Sequence, residues 1–349
     1  MREVMALAAA VDGSSSFDSL RGMHQKLDDF YARGYLSTWC ESVRPEWTLF
    51  LHEVFTKDIP TLLPSHHLKD SDQVGENAFA PTTTTTTTTT VSSKRVVDLG
   101  CGPSISNIIS ASAWSAHIVM CDVLTSNLAE IAKFRSASED AFSWQHYFAF
   151  LSTFESSTSK VSRRGQEEDE GQEEEEERGE NCNHLGTKVG PLLSPEDLEE
   201  RTREAIQEIC HCDISLPGCG LPERLVREGD LFEVGVASLV LDVVSTSEEM
   251  FRSALENVKG ILKPHCGLLI IQGSLGESVY TVGSALFPVM NIDEQKLRQL
   301  FSEVGFEILK WQICQAQSQH YFGLLKVTGG TSKQMILKSR GGSRGEGDQ

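Results

Sequence analysis

The chain has 349 residues, 39% of them hydrophobic, and a formal net charge of −19. That length admits one large α/β domain or two small ones, and the acidity argues against nucleic acid or an anionic membrane as a partner. No apolar run approaches the roughly 20 residues of a membrane span, and nine cysteines without a Cys-x-x-Cys pair point to reduced thiols in the cytoplasm rather than to disulfides or a metal site.

Residues 1–16 read as a loose leader that lacks the basic flank of a secretory signal. Leu20–Tyr31 reads as a short amphipathic helix. Gly34–Tyr35–Leu36–Ser37–Thr38–Trp39–Cys40 follows as a glycine-bounded turn, whose aromatic pair either packs in the core or covers a ligand. From Pro45, the spacing of Trp47, Phe50, Leu51, Val54 and Phe55 predicts a helix with one apolar stripe. Residues 60–93 include nine consecutive threonines, Thr82–Thr90. Such a tract cannot bury enough surface to offset its ordering entropy, so a disordered loop is expected.

From Lys94 the pattern becomes a βα alternation. Strand Arg95–Leu99 carries Asp98 into the turn Gly100–Cys101–Gly102, and Pro103 opens an expected helix over Pro103–Ala113. The glycines permit tight backbone geometry and close approach of a ligand. A dinucleotide fingerprint needs a third glycine where Ile105 stands, and no Gly-Lys-Ser/Thr of a P-loop is present. The next strand, His117–Cys121, is closed by Asp122. An acid before Gly-x-Gly and a second after the following strand suit S-adenosyl-L-methionine. Its sulfonium and amino-acid part need no phosphate nest, while its ribose hydroxyls want a carboxylate. The plainer reading is an ordinary glycine turn between strand and helix.

Thr125–Arg135 reads as a helix with Asn127 one turn in, placed to bond a ribose or to decorate the surface. Ala141–Leu151 is aromatic-rich and reads as a buried helix. Residues 156–192 form a second insertion, in which 167–180 hold ten acids and one arginine. It is either a solvated loop or a tail that binds basic partners. Pro195–Ile209 is expected as a helix capped by Ser194, and His211–Ile214 as a short strand. There Asp213 either accepts from an adenine amino group or caps a turn. Phe232–Val244 reads as a central strand with Asp242 in its final stretch. A carboxylate is costly to bury unpaired, and the carboxyl edge of an open α/β sheet is the ligand crevice. Glu248–Leu262 is the next helix and Leu268–Ile271 the next strand. In the Gly/Ser loop that follows, Glu277 and Tyr280 either reach a bound substrate or stay solvated. A helix Asp293–Val304 closed by Gly305, an antiparallel pair Phe306–Ile313 and His320–Val327, and a tail at 328–349 complete the chain.

Together these segments resemble the nicotinamide, phenylethanolamine, indolethylamine and thioether N/S-methyltransferase family. The resemblance rests on Gly34–Tyr35–Leu36, Val97–Asp98–Leu99–Gly100–Cys101–Gly102–Pro103–Ser104–Ile105, Cys121–Asp122, Asn127–Leu128, Ala141–Phe142–Ser143–Trp144, Cys212–Asp213–Ile214, Leu241–Asp242 and Leu262–Lys263–Pro264. It implies a class I, Rossmann-like methyltransferase with a seven-stranded, mostly parallel sheet at residues 94–327 and an N-terminal helical lid at 17–59. It also implies that Tyr35 covers the cofactor and can touch the substrate. Gly100 and Gly102 would face the methionine portion, Asp122 and Asn127 the ribose, and Asp213 with Ile214 the adenine, with Asp98 and Cys101 also counted among the cofactor-binding residues. Asp242 matches an acid that contacts the substrate amine, with Glu277 and Tyr280 beside it.

A second lid tyrosine expected from the family is replaced by Cys40, and a tyrosine expected in the helix after the first strand by Ser106. Gly273 stands where the nicotinamide subtype has a substrate-binding Asp, and Gly276 replaces one of two acids in the phenylethanolamine-type loop. The expected activity is methyl transfer to the nitrogen of a small amine or N-heterocycle by a monomer without a metal. Asp242 and Glu277 would orient the amine and take its proton. The competing expectation is a catalytically degenerate cofactor-binding fold that acts through its acidic loop. A dinucleotide-dependent oxidoreductase is disfavoured by Ile105.

Overall fold

Short apolar segments separated by helices fold as parallel strands buried on both faces. They are β1 (Arg95–Leu99), β2 (His117–Asp122), β4 (Val234–Ser238) and β5 (Leu268–Leu275), and the partly exposed, more polar β3 (Ile206–His211) adds a parallel edge beside β2. A separate hairpin of β6 (Val279–Val282) and β7 (Ala285–Pro288) precedes β8 (Phe306–Gln315) and β9 (Gln319–Val327). In the sheet the order is β3-β2-β1-β4-β5-β9-β8, with β9 antiparallel to both of its neighbours. Counted along the sheet strands, this is the 3-2-1-4-5-7-6 order of the class I methyltransferase fold. The computed structural model describes residues 28–63, 94–154 and 193–329, apart from 228, 283–284 and 316–318. The expected leader, most of the first helix, the threonine and acidic tracts and nearly all of the tail lie outside the described residues.

Strand alternation divides the core into two layers. Val96, Ile118, Met120, Val234 and Ile270 face the N-terminal helices, whereas Val97, Val119, Cys121, Ala237 and Ile271 face helices Glu248–Ile261 and Glu294–Val304. The N-terminal layer is fixed by Trp47, Phe50 and Phe322, whose ring centroids lie 5.3–5.7 Å apart. Helix ends follow the local chemistry. Ser194 and Asp197 form a reciprocal capping box, Asp293 accepts from the Lys296 amide, and Gly305 closes its helix with a left-handed backbone.

The structure corrects several expected elements. The expected turn at 34–40 is helical, since helix Asp28–Tyr35 runs on through a π-helical turn to Cys40. Pro103–Ala113 is a series of turns ending in a 3-10 turn at Ala111–Ala113. Its serines explain this, because Ser104 Oγ accepts the Ser106 amide and Ser112 Oγ donates to the Ile109 carbonyl. Side chains that bond the backbone locally compete with the helical ladder. The helix from Pro195 stops at Ala205, and Ile206 turns extended to enter β3 directly. Pairing with β2 overrides helical pattern there, and most of the strand expected at His211–Ile214 becomes the loop beyond β3. Likewise β4 ends at Ser238, so Asp242 lies in the short helix Leu241–Val244 rather than on a strand.

Candidate active site

The carboxyl ends of β1, β2, β4 and β5 open into a cavity of about 440 Å³. The turn after β1 forms one wall. Gly100 and Gly102 both have left-handed backbones, with φ of 60° and 59°. They do different work. A Cβ on Gly100 would lie 2.3 Å from Val240 Cγ2, whereas one on Gly102 would meet nothing within 4 Å. Gly100 therefore admits a neighbouring side chain, and Gly102 leaves the cavity open.

Asp122 braces this turn from the end of β2. Its Oδ2 accepts the Gly102 amide at 2.9 Å, and its Oδ1 accepts the Leu124 amide at 2.8 Å and Asn127 Nδ2 at 3.0 Å. Asn127 lines the cavity, and its buried Oδ1 has no partner among the described residues. That acceptor suits a ligand hydroxyl. Asp213 and Ile214 line the same end, on the loop after β3. Asp213 Oδ1 accepts the Ser215 amide at 3.0 Å, so the acid also caps its own turn. The Ile214 carbonyl accepts Asn257 Nδ2 at 3.1 Å.

Asp98 does not line the cavity. It is fully buried below the turn, where both carboxyl oxygens face Asn107 Nδ2 at 3.3 Å. Burial pushes its pKa up to about 8, the Asn107 hydrogen bond opposes the rise, and Asp122 adds to it. Asn107 Oδ1 in turn accepts Trp47 Nε1 at 3.0 Å. This Trp47–Asn107–Asp98 chain, which the sequence reading missed, ties the N-terminal segment to β1. Cys101 does line the cavity, but burial raises its thiol well above the ordinary range, so it is a small apolar wall.

Tyr35, Cys40 and Ser106 come together along the N-terminal side of the cavity. Burial pushes the Cys40 thiol up to about 12, against a hydrogen bond to Ser104. The other end holds Asp242, Gln272, Ser274, Glu277 and His320. Asp242 is 1% exposed. Its Oδ2 accepts the Ser274 amide at 3.0 Å, while its buried Oδ1 has no partner among the described residues. Desolvation lifts its pKa to about 6, against the backbone hydrogen bonds that lower it. Glu277 sits in the turn between β5 and β6 and is less buried. Tyr280 belongs to β6, and its side chain lies outside the described residues. Sequence reading also missed Arg44 and His320, both on the cavity wall; each stands outside the motif segments. Among the described residues, no group of three or more His, Cys, Asp or Glu is arranged to hold a metal ion. No described helix is long and apolar enough to cross a membrane.

Comparison with known proteins places this geometry in context. The chain is 24% identical over 220 residues to phenylethanolamine N-methyltransferase of Macaca mulatta, covering 62% of this chain and 64% of that protein. It is 23% identical over 218 residues to human nicotinamide N-methyltransferase, covering 61% and 66%. The chain thus spans just under two thirds of the length of these curated relatives. A solved S-adenosylmethionine-dependent methyltransferase from Clostridium acetobutylicum matches at 11% identity and a TM-score of 0.38, over 68% of this chain and 85% of that one. The profile of the NNMT/PNMT/TEMT family matches residues 65–175 and 181–327, and the chain belongs to that family.

Proposed function

We propose that the protein is an S-adenosyl-L-methionine-dependent methyltransferase that acts on the nitrogen of a small amine or N-heterocycle. The observation that carries the reading is Asp242, a buried carboxylate with one oxygen unpartnered among the described residues, on the wall of the same cavity as the Gly100–Gly102 turn. An isolated buried acid is costly, and a cationic or N–H-bearing ligand offsets that cost. Family membership supports the cofactor. The cavity fits it too, with an open left-handed turn at Gly102 and a buried acceptor at Asn127.

When bound, the cofactor supplies an electrophilic methyl group. The chain's residues supply position. Asp122 and Asn127 would hold the ribose hydroxyls, Asp213 and Ile214 would border the adenine, and Gly100, Cys101 and Gly102 would flank the methionine part beside Tyr35. Asp242 receives the amine N–H and fixes its lone pair, and Glu277 stands at the rim to draw the proton toward water. With a pKa of about 6, Asp242 is largely ionised at neutral pH and accepts readily. Orientation of the nucleophile, rather than strong base catalysis, accounts for most of the acceleration.

Isothermal titration with S-adenosylmethionine and S-adenosylhomocysteine, followed by a screen of small amines for methyl transfer, tests this. Micromolar binding that is lost in Asp122→Ala, with turnover lost in Asp242→Ala while binding persists, is the expected result. A folded protein that binds neither compound refutes the reading and favours the degenerate fold.

A further inference from the structure

One cation on the cavity wall makes no ion pair among the described residues. Arg44 lines the cavity from the N-terminal side, just ahead of helix Pro45–Glu53. Its guanidinium carbon lies 4.3 Å from the centroid of the Trp39 ring, and Nε donates to the Trp39 carbonyl at 3.4 Å. Stacking fixes the plane of the fork. The hydrogen bond occupies Nε, and the two terminal nitrogens have no acceptor among the described residues. Arg33, Arg203, Arg224, Arg252 and Arg298 each hold a carboxylate, and Arg44 holds none among the described residues.

The same cavity wall carries Cys40, hydrogen-bonded to Ser104 of the glycine-turn segment, and His320, opposite Ser274 across β5 and β9. The Arg44 charge is felt at both. Asp242 and Glu277 supply negative charge on the same cavity wall. The cavity is therefore dipolar, and a ligand carrying both an ammonium and an acid matches it. A planar guanidinium with both terminal nitrogens open is the geometry that grips a carboxylate bidentately.

We propose that Arg44 is a carboxylate-binding subsite, taking the acid group of a zwitterionic ligand. This rests on the methyltransferase reading above. The acid belongs either to the amino-acid end of the cofactor or to an acceptor amine that bears a carboxylate.

The test is isothermal titration of full-length wild type, Arg44→Gln and Arg44→Lys, with matched thermal melts to establish folding. The probes are S-adenosylhomocysteine and its decarboxylated analogue, then phenylalanine and phenylethylamine added to the S-adenosylhomocysteine complex. If the cofactor supplies the acid, Arg44→Gln weakens S-adenosylhomocysteine tenfold or more, Arg44→Lys restores part of the loss, and the decarboxylated analogue binds both proteins alike. If the acceptor supplies it, cofactor binding is unchanged, and Arg44→Gln weakens phenylalanine tenfold without affecting phenylethylamine. Equal binding of all four probes by wild type and Arg44→Gln overturns the inference while leaving the methyltransferase reading intact. A wild type that fails to bind S-adenosylhomocysteine overturns that reading, and this inference with it.

Discussion

Asp242→Asn should separate what this residue does for catalysis from what it costs the fold. In the wild type, Asp242 is 1% exposed and its pKa is raised to about 6, chiefly by desolvation. A raised pKa means that the folded state binds the proton more tightly than the unfolded chain. The contribution of the protonated acid is therefore fully present below about pH 4 and is lost as pH rises to about 6. A displacement of about two units corresponds to about 3 kcal/mol once the acid is ionised, at 1.36 kcal/mol per unit. Asparagine has nearly the same shape, keeps an acceptor for the Ser274 amide and removes the charge. The variant should match the wild type near pH 4 and exceed it by up to about 3 kcal/mol at pH 8. Its turnover of amines should meanwhile fall by at least tenfold, with S-adenosylhomocysteine affinity unchanged. Paired thermal or urea melts at pH 4, 6 and 8, with titration and turnover on the same samples, measure all three quantities. A variant less stable than wild type at pH 8, or one with undiminished turnover, would refute the assignment of Asp242 as a strained, substrate-facing acid.

Three further outcomes follow from the packing. Gly100→Ala should be far more damaging than Gly102→Ala: both require a left-handed backbone, a cost of about 1–2 kcal/mol, but only the first drives a Cβ to 2.3 Å from Val240. Adding Val240→Ala should recover part of the Gly100→Ala loss in melting temperature, and no recovery would mean that the clash is not the cause. Asn107→Ala leaves both Trp47 Nε1 and Asp98 without their partner, which should cost about 2–4 kcal/mol in urea melts. A loss below 1 kcal/mol would show that the chain does not anchor the N-terminal segment. Finally, Asp98 has its pKa raised to about 8, so its stabilising protonated form is lost as pH rises from about 4 through 8. Asp98→Asn should flatten the decline of wild-type stability over that interval, and an unchanged pH profile would contradict the buried, protonated state.

The sequence alone determined the order of the βα units, the glycine turn and the acids that bracket it. These features are local: apolar runs bury strands, and a left-handed turn favours glycine whatever surrounds it. The spacing of Gly100, Gly102 and Asp122 therefore pointed to one wall of the cavity. Tertiary structure decided what long-range contacts control. Pairing with β2 turned Ile206–Ile209 from helix to strand. Asp98, which appears in the sequence as a second cofactor acid, lies below the turn in contact with Asn107. Arg44 and His320 are 276 positions apart along the chain, and no local pattern shows that they face one cavity. Only the packed sheet brings them together, because β9 returns antiparallel beside β5 and sets His320 opposite Ser274. Apart from β3, which residues form a strand is a property of the segment, whereas which charges meet in a cavity is a property of the closed fold.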